Sequence, residues 1–319
     1  MKFATVAAVG AAALVASCSA LGSEGSSDYP SGSVSIIVPV PAGSSTDLST
    51  RVVAPCLEEE LGTSVVVENR EGGSGAVGNG VFAQAEADGY TLVSTTAANA
   101  ALPPILEGNV GYTVDDFRPV GMIGVAPVVL LVPADSPFQS AEDLFAAAES
   151  GTVTVGVPGM TSVPGISVNA LIDRTDLQIE PVPFDGNGGT MAALVSGEVQ
   201  AGYMSADGGV ALPRIESGEV RVLATAVTEP IETMPDVPTL ESLGYSGLPY
   251  ADSFWFLAAQ PETPNEVVTT LEDAMETCMT SESIASELGE GVAPSSFIDG
   301  AEVKKRLEQA AGDYAESVG

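Results

Sequence analysis

An α/β fold with two lobes is predicted by the order of apolar runs along the 319-residue chain. Short runs rich in Val and Ile alternate with stretches of helical periodicity, which is the pattern of parallel sheets flanked by helices. The alternation starts near Val34, is interrupted by "VAPVVLLVPADSP", and starts again with a helix near Ala141. A chain of this length can bury two cores, so we predict two lobes, each with its own core around a mostly parallel sheet.

The individual elements follow from the same pattern. Strands are predicted at "VSIIVPV", "SVVVEN" and "TLVSTT", with helices at 45–61 and 76–87. The second cycle is predicted to hold helix 141–149, strand "TVTVGV", a helix ending at Arg174, strand "IEPVPF" and helix 189–196. After the strand-like run "FWFLAAQPETP", the tail carries two more helical stretches, at 264–280 and 300–318.

The tail is expected to return to the first lobe, because the sheet of that lobe otherwise lacks helices to cover it. We therefore assign 33–132 and 258–319 to lobe 1 and 133–257 to lobe 2. The two crossings, near 131–133 and 256–259, would then form a hinge.

The charge balance excludes some partners. The chain has 43 acidic and 10 basic residues, a net charge of −33 and no histidine. Such a surface repels nucleic acid and anionic lipid, so neither is an expected partner. It also suggests a protein that works in salt, where charge repulsion is screened.

The N-terminus has the features of an export signal. Lys2 precedes an apolar run at 3–16 that is too short to span a bilayer, and the run ends in "VASC", which resembles a lipobox. We predict a lipoprotein signal peptide at 1–18, a lipid on Cys18 and a flexible tether at 19–32. The mature protein would be anchored on the outer face of the cytoplasmic membrane. An ordinary signal peptide with an incidental cysteine is the alternative.

The export signal bears on the other two cysteines. Cys56 and Cys278 would lie in an oxidising compartment, where a disulfide between them can form. Two buried thiols on separate helices are the alternative.

The segment "REGGSGAVG" contains G-x-G-x-x-G from Gly73, the pattern that binds a dinucleotide pyrophosphate. In dinucleotide-binding folds this pattern follows the first strand, and an acidic residue lies about 20 positions later. Here it follows the second predicted strand, and "TLVSTTAANA" offers no acid. These glycines therefore indicate a tight turn that brings the next helix close to the sheet.

No catalytic constellation is evident in the sequence. The absence of histidine removes imidazole bases and metal ligands, and the lysines (Lys2, Lys304 and Lys305) lie near the chain ends. The acidic runs 58–60 and 115–116 are typical of solvent-facing or capping positions. We predict a binding protein, not an enzyme, with no cofactor and no metal.

Two segments resemble each other in a way that suggests a binding site. Residues 38–47 ("VPVPAGSSTD") and 181–190 ("PVPFDGNGGT") both run from a strand through proline and a Gly-rich loop to a helix start. Such loops expose backbone N–H groups at the positive end of a helix dipole, where anions bind. Plain helix capping is the alternative for either loop alone. Two facing loops favour a small organic anion held by amides and hydroxyls, with Arg51 and Arg70 in structural roles.

The chain also resembles the substrate-binding proteins of tripartite tricarboxylate transporters, the TctC or Bug family. The resemblance rests on "YPSGSVSIIVPVPAGSSTDLSTRVVAPCLEEELGTSVVVENREGGSGAVGNG", "ADGYTLV", "DFRPVGMIG" and "GEVRVLATAVTEPIETMPDVPTLESLGYSG". It implies a two-lobed periplasmic-binding-protein fold of type II with a ligand cleft between the lobes. It also implies a monomer that performs no chemistry and hands a carboxylate to a two-component membrane permease.

Ligand-binding residues follow from the resemblance by position. The family's P-x-A-G-G-x-T-D loop falls on 41–47, with Ser44 in place of the second glycine, and its turn E-N-R-P-G-A-G-G falls on 68–75 as scaffold, with Glu71 in place of proline. The residues expected to contact the ligand are Gly43, Ser44, Ser45, Thr46, Thr95, Thr96, Asn99, Thr161, Ser162, Asp185, Gly186, Asn187 and Asp207.

The resulting hypothesis is a lipid-anchored receptor that closes around a small carboxylate of the di- or tricarboxylate type. The ligand could instead be an amino acid or an aromatic acid. The receptor could also signal to a membrane kinase and not feed a permease. An enzyme on this scaffold and a purely structural lipoprotein are the remaining classes.

Overall fold

A computed structural model describes residues 29–227, 231, 234–246, 248, 252–289 and 291–318. The predicted signal peptide, the lipidation site Cys18 and residues 19–28 of the predicted tether lie outside the described residues. In the part that is described, no helix combines the length and apolarity needed to cross a membrane.

The end of the predicted tether is held on the fold. The Tyr29 hydroxyl donates to the carbonyl of Gly89 at 2.7 Å, and its ring meets the edge of Tyr90 with ring centroids 5.1 Å apart. The Ser31 N–H donates to the Tyr90 hydroxyl at 2.8 Å. Residues 29–32 therefore belong to the folded domain, in contrast to the tether predicted over 19–32.

The first part of the chain alternates strands and helices as predicted. Its elements are β1 (Val34–Val38), α1 (Ser45–Leu61), β2 (Val65–Asn69), α2 (Ala76–Ala83), β3 (Thr91–Thr96) and α3 (Ala97–Glu107). β1 lies between β2 and β3, and both pairings are parallel. Helix α1 has the predicted bounds, because the Ser44 side chain caps its start and Gly62, in the left-handed conformation, ends it.

Helix α3 was not predicted. It contains Pro103 and Pro104, which remove two N–H donors from its interior. Its buried face carries Ala97, Ala100 and Ala101, and these small side chains let α3 pack closely on the C-terminal helix. Tertiary packing therefore overrides the local signal for a helix break.

A single long strand joins the two halves of the sheet. β4 (Arg118–Pro133) pairs antiparallel with β9 (Asp252–Ala259) through Pro127, and from Val128 onward it pairs with β7 and β8. We call the part with β1, β2, β3 and β9 the first half, and the part with β5, β6, β7 and β8 the second half. The change of partners lies before the predicted crossing at 131–133, and the lobe limits 33–132, 258–319 and 133–257 remain a prediction.

The second half repeats the strand–helix order. Its elements are α4 (Ala141–Ser150), β5 (Val153–Val157), α5 (Val163–Asp173), β6 (Ile179–Pro183), α6 (Gly186–Ser196), β7 (Ala201–Ser205), α7 (Ala211–Glu216) and β8 (Val220–Thr225). β5 is parallel to β6 and to β7. Helix α6 begins at Gly186, earlier than predicted, because the glycines of its first turn weaken the helical signal.

The tail covers the first half. Its helices are α8 (Asn265–Met279), α9 (Glu282–Leu288) and α10 (Gly300–Val318). α8 packs on α1, where Cys56 and Cys278 form a disulfide with an S–S distance of 2.07 Å. α10 packs on α3 and β4.

The predicted α/β class is confirmed, and the sheet is mixed. Its order is β2-β1-β3-β9-β4-β7-β5-β6, with β8 also paired to β4. Alternate residues of β4 enter opposite cores: Val128 and Leu130 face one core, and Val129 and Leu131 face the other. Each core runs through both halves. The two cores therefore follow the two faces of the sheet. They differ from the prediction, which gave each lobe a separate core.

Candidate functional site

A cavity of about 430 Å³ lies where helices α3, α5 and α6 begin. One face of α3, from Thr96 to Glu107, forms its wall on the first half. The loop before α5 and the first residues of α6 form its wall on the second half. The cavity therefore lies between the two halves of the sheet, at the carboxyl ends of β3, β5 and β6, where ligands bind in open α/β sheets.

Helix α3 presents its first turn to this cavity. The Thr96 hydroxyl accepts from the Asn99 N–H at 2.9 Å and caps the helix. Asn99 in turn contacts the Thr96 hydroxyl through Oδ1, and its Nδ2 donates to the carbonyl of Ser74 at 2.7 Å. The N–H groups of the first turn have no intrahelical acceptor and can serve a ligand.

Helices α5 and α6 start in different ways. Ser162 caps α5, because its Oγ accepts from the Gly165 N–H at 3.1 Å and donates to the Gly159 carbonyl at 2.7 Å. At α6, Asp185 is the N-cap residue but its side chain makes no capping bond. The first N–H groups of α6 therefore form an open anion site beside the cavity.

A chain of hydrogen bonds forms the floor and joins the two halves. Asn187 Nδ2 donates to the Ser205 carbonyl at 3.2 Å, and the Ser205 and Ser253 hydroxyls lie 3.0 Å apart. Ser205 ends β7 and Ser253 lies in β9. The floor thus connects strands of opposite halves close to the point where β4 changes partners.

Asp207 contacts this floor through Asn187. Its carboxylate accepts from Asn187 Nδ2, and also from the N–H groups of Gly209 at 2.9 Å and Val210 at 2.7 Å. Asp207 is 8% exposed and does not line the cavity. In the structure, Asp207 orients Asn187 and closes the turn before α7.

In the loop before α1, the N–H groups of Gly43, Ser44 and Asp47 already have acceptors nearby in the chain. Asp47 is buried and accepts from the Gly43 N–H at 2.8 Å, from Arg51 Nε at 3.0 Å and from Asn69 Nδ2 at 2.9 Å. The Ser44 hydroxyl caps the Asp47 N–H at 3.4 Å. Residues 43–46 do not line the cavity.

Replacing Asp47 with Asn should destabilise the fold at neutral pH by about 2–3 kcal/mol, because a buried carboxylate with three donors is lost. Burial would raise the pKa of Asp47, but hydrogen bonds from Arg51, Gly43 and Asn69, with the Arg51 charge, outweigh burial and lower it. A lowered pKa stabilises the fold above the unfolded value of about 3.9, and this contribution is lost as the pH falls through the folded value.

The difference in unfolding free energy between wild type and Asp47→Asn should therefore be full at pH 6 and shrink below about pH 4. Urea unfolding at several pH values measures it. Glu59→Gln, on the exposed side of the same helix, is the control and should change little at any pH. A difference that does not depend on pH would contradict this account of Asp47.

The cavity brings together part of the predicted set. The predicted residues that line it are Thr96, Asn99, Thr161, Ser162, Gly186 and Asn187. The predicted residues that the structure places outside the lining are Gly43, Ser44, Ser45, Thr46, Thr95, Asp185 and Asp207. The lining set is drawn from both halves, as expected for a cleft, whereas the α1 loop lies apart from it.

Several lining residues were not predicted. Ser74, treated above as part of a scaffold turn, lines the cavity with the left-handed φ of 51° that non-glycine residues rarely adopt. The Gly75 that follows leaves room for Asn99, since a Cβ there would lie 2.6 Å from Asn99 Nδ2. Ser205 and Ser253 were missed because they meet only through the sheet, and Leu102, Leu106 and Glu107 because α3 was missed.

The polar groups of the lining carry no positive charge. Among the described residues that line the cavity there is no Arg or Lys, and Glu107 is the one charged side chain. Nor does the described part of the chain hold a group of three or more Cys, Asp or Glu placed to bind a metal ion. Hydroxyls, amides and helix N-termini are donors suited to binding an anion, and they pair no nucleophile with a base.

A second cavity of about 420 Å³ lies against the C-terminal part of α10. It is lined by Arg174, Glu241, Asp313 and Glu316 among others, and contains none of the predicted site residues. Three of these four side chains are acidic, so this cavity is less suited to an anion than the first one.

This mixed sheet with a cavity between its halves matches the fold of solved periplasmic solute-binding proteins. The family model of TctC, the tripartite tricarboxylate transporter family receptor, matches residues 49–306. The chain belongs to this family, a family of solute-binding receptors and not of enzymes.

Curated relatives and solved structures support the same family assignment. BugT of Bordetella pertussis is 33% identical over 247 residues, covering 76% of this chain and 74% of BugT. A TctC solute-binding protein from Polaromonas superposes with a TM-score of 0.79 at 25% identity, over 91% of this chain and 99% of that one. An R. palustris protein solved with adipate superposes with a TM-score of 0.74 at 28% identity, over 91% and 98%.

Proposed function

We propose that this protein captures a small organic carboxylate in the cavity between the halves and delivers it to the two-component membrane permease of a tripartite tricarboxylate transporter. The observation that carries the proposal is the convergence of the α3, α5 and α6 N-termini on one cavity of about 430 Å³. Each contributes the positive end of a helix dipole, and the first turns of α3 and α6 also contribute open N–H groups.

The strong net negative charge of −33 does not oppose this assignment. Salt screens interactions between charges separated by more than about 10 Å at 0.1 M, whereas a contact hydrogen bond in the cavity is screened much less. The R. palustris neighbour solved with adipate supports a carboxylate ligand. We further propose export with a lipid on Cys18, and a monomer as the working form.

Thr161→Asp should weaken carboxylate binding about tenfold or more, because it places a like charge beside the ligand. Thr161 is exposed, lies on the cavity wall and makes no hydrogen bond in the described contacts. Thr161→Asn introduces a side chain with the shape of Asp but without its charge. It is the matched control and should bind the carboxylate within a few-fold of wild type.

The tryptophan fluorescence of the protein provides the readout. Trp255 is the only tryptophan of the chain. It pairs with the cavity residue Thr96 across β3 and β9 and lies two residues from Ser253. Titration with malate and with adipate should change this fluorescence, and calorimetry gives the Kd. Equal affinity of the Asp and Asn variants would exclude this cavity as the carboxylate site.

Delivery to a permease is tested separately from binding. A strain that lacks the protein should lose uptake of the ligand and regain it with the wild-type chain but not with Thr161→Asp. Uptake that persists without the protein would reject the transport role and leave the signalling hypothesis.

A further inference from the structure

The cavity has a polar end and an acidic end. Helix α3 lines it along its whole length, and its 11 residues span about 16 Å. The first turn contributes Thr96 and Asn99, and the last turn contributes Glu107. The N-terminus of a helix is electropositive and its C-terminus electronegative, so the helix dipole and the Glu107 carboxylate make the same end negative.

The hydrogen bonds of the floor place the other donors at the polar end. Ser253 lies two residues from Trp255, which is the cross-strand partner of Thr96. Ser253 is bonded to Ser205, and Asn187 at the start of α6 donates to the Ser205 carbonyl. The α3 and α6 N-termini are thereby tied to one end of the cavity.

The middle of the cavity is apolar. Leu102, Pro103 and Leu106 line it from α3, and Val163 and Pro164 line it from the start of α5. Leu106 is 47% exposed, so its side chain is accessible from the cavity. A ligand that covers these side chains would remove apolar surface from water, whereas a hydroxylated ligand would gain little from them.

The acidic end is not compensated within the cavity. No Arg or Lys is present among the described lining residues, and Glu107 is exposed at the end of its helix. A second carboxylate on the ligand would therefore meet a like charge and the helix C-terminus. The Asp207 carboxylate already accepts three hydrogen bonds. Neither Asp207 nor Asp185, the N-cap residue of α6, belongs to the lining.

We propose that the ligand is a monocarboxylate with an apolar body, whose distal end is neutral or cationic. Its carboxylate binds at the N-termini of α3 and α6, its body lies along Leu102 and Leu106, and its distal end faces Glu107. This inference rests on the proposed function and narrows it, and it departs from the di- or tricarboxylate expected from the sequence.

Three ligands of equal chain length test whether the cavity has a polar end and an acidic end: octanoate, 8-aminooctanoate and octanedioate. Calorimetry on the wild-type protein should give tighter binding of the first two than of octanedioate. Glu107→Gln should raise the affinity for octanedioate relative to octanoate up to about fivefold, the effect of one exposed charge pair. Glu60→Gln removes an exposed carboxylate at the end of α1 that does not line the cavity, and it should leave the ratio unchanged.

The outcomes separate the two proposals. The proposed monocarboxylate ligand would be wrong if octanedioate bound more tightly than octanoate. It would also be wrong if Glu107→Gln did not change the ratio of these two affinities. Either result would leave the capture of a carboxylate intact. Binding of malate or adipate without any binding of the eight-carbon ligands would overturn the monocarboxylate proposal as well. If no carboxylate of any of these kinds binds, the proposed function fails, and this inference fails with it.

Discussion

Loss of the Cys56–Cys278 disulfide is expected to lower the free energy of unfolding by about 3–5 kcal/mol. The two cysteines are 222 positions apart, so the bridge restricts most of the unfolded chain. It also fixes α8 on α1, which joins the C-terminal tail to the first half of the sheet.

The variant of choice is Cys56→Ser, because Cys56 is half-buried whereas Cys278 is fully buried. The substitution removes the bridge and leaves the buried Cys278 sulfur in place, so little cavity is created. Urea unfolding under oxidising and reducing conditions measures the effect. Wild type with reductant should unfold like Cys56→Ser, and reductant should not change the variant. Coincident curves for wild type and variant without reductant would exclude a stabilising bridge.

The bounds of α1 were predictable because both of its ends carry local signals. Ser44 accepts from the Asp47 N–H, and Gly62 takes the left-handed conformation that stops the helix. Both features depend only on residues within one turn of the helix end. Strands β3 and β5 were located for a similar reason, since runs of β-branched residues bounded by turns are local patterns.

The missed parts of the fold depend on contacts that are distant in sequence. Helix α3 carries two prolines and forms because its alanine face packs on α10, some 200 positions further along the chain. The connection between the halves depends on β4, which pairs with β9 along its first part and with β7 and β8 along its last part. No pattern within β4 marks Pro127 as the residue where its partners change.

The candidate site was likewise predictable in part from local sequence and in part only from the structure. The loop after β6 was identified from the strand, Gly-rich loop and helix start that follow each other in sequence. The loop after β5 was identified through the family resemblance, and both loops line the cavity. The loop before α1 has the same pattern, but its Gly43 N–H is bound by Asp47. The pattern therefore predicts open N–H groups, and only the structure reveals whether a side chain already occupies them.

Replacing Gly165 with Ala should remove most ligand binding and destabilise the fold by about 2–3 kcal/mol. Gly165 is the third residue of α5, and a Cβ there would lie 2.2 Å from the Gly159 carbonyl oxygen and 2.7 Å from the Met160 carbonyl oxygen. Backbone atoms cannot yield as a flexible side chain can, so the loop at 158–162 has to move.

That loop forms part of the cavity wall. The Gly159 carbonyl accepts from both the N–H and the hydroxyl of Ser162, so a shift of Gly159 also disturbs the cap of α5. Thr161 and Ser162 line the cavity, and their displacement would separate the α5 N-terminus from the ligand. We expect an affinity loss of about tenfold or more, since misplaced donors leave ligand oxygens unpaired.

Gly188→Ala is the matched control, because Gly188 is the third residue of α6, the other helix that starts at the cavity from the second half. A Cβ at Gly188 meets no atom within 4 Å, so the substitution should be neutral, or stabilise by up to about 1 kcal/mol through helix propensity. Thermal unfolding and calorimetry with the ligand found for the wild type compare the two variants. If Gly165→Ala bound that ligand as tightly as Gly188→Ala does, the α5 loop would have no role in holding it, and binding would depend on α3 and α6 alone.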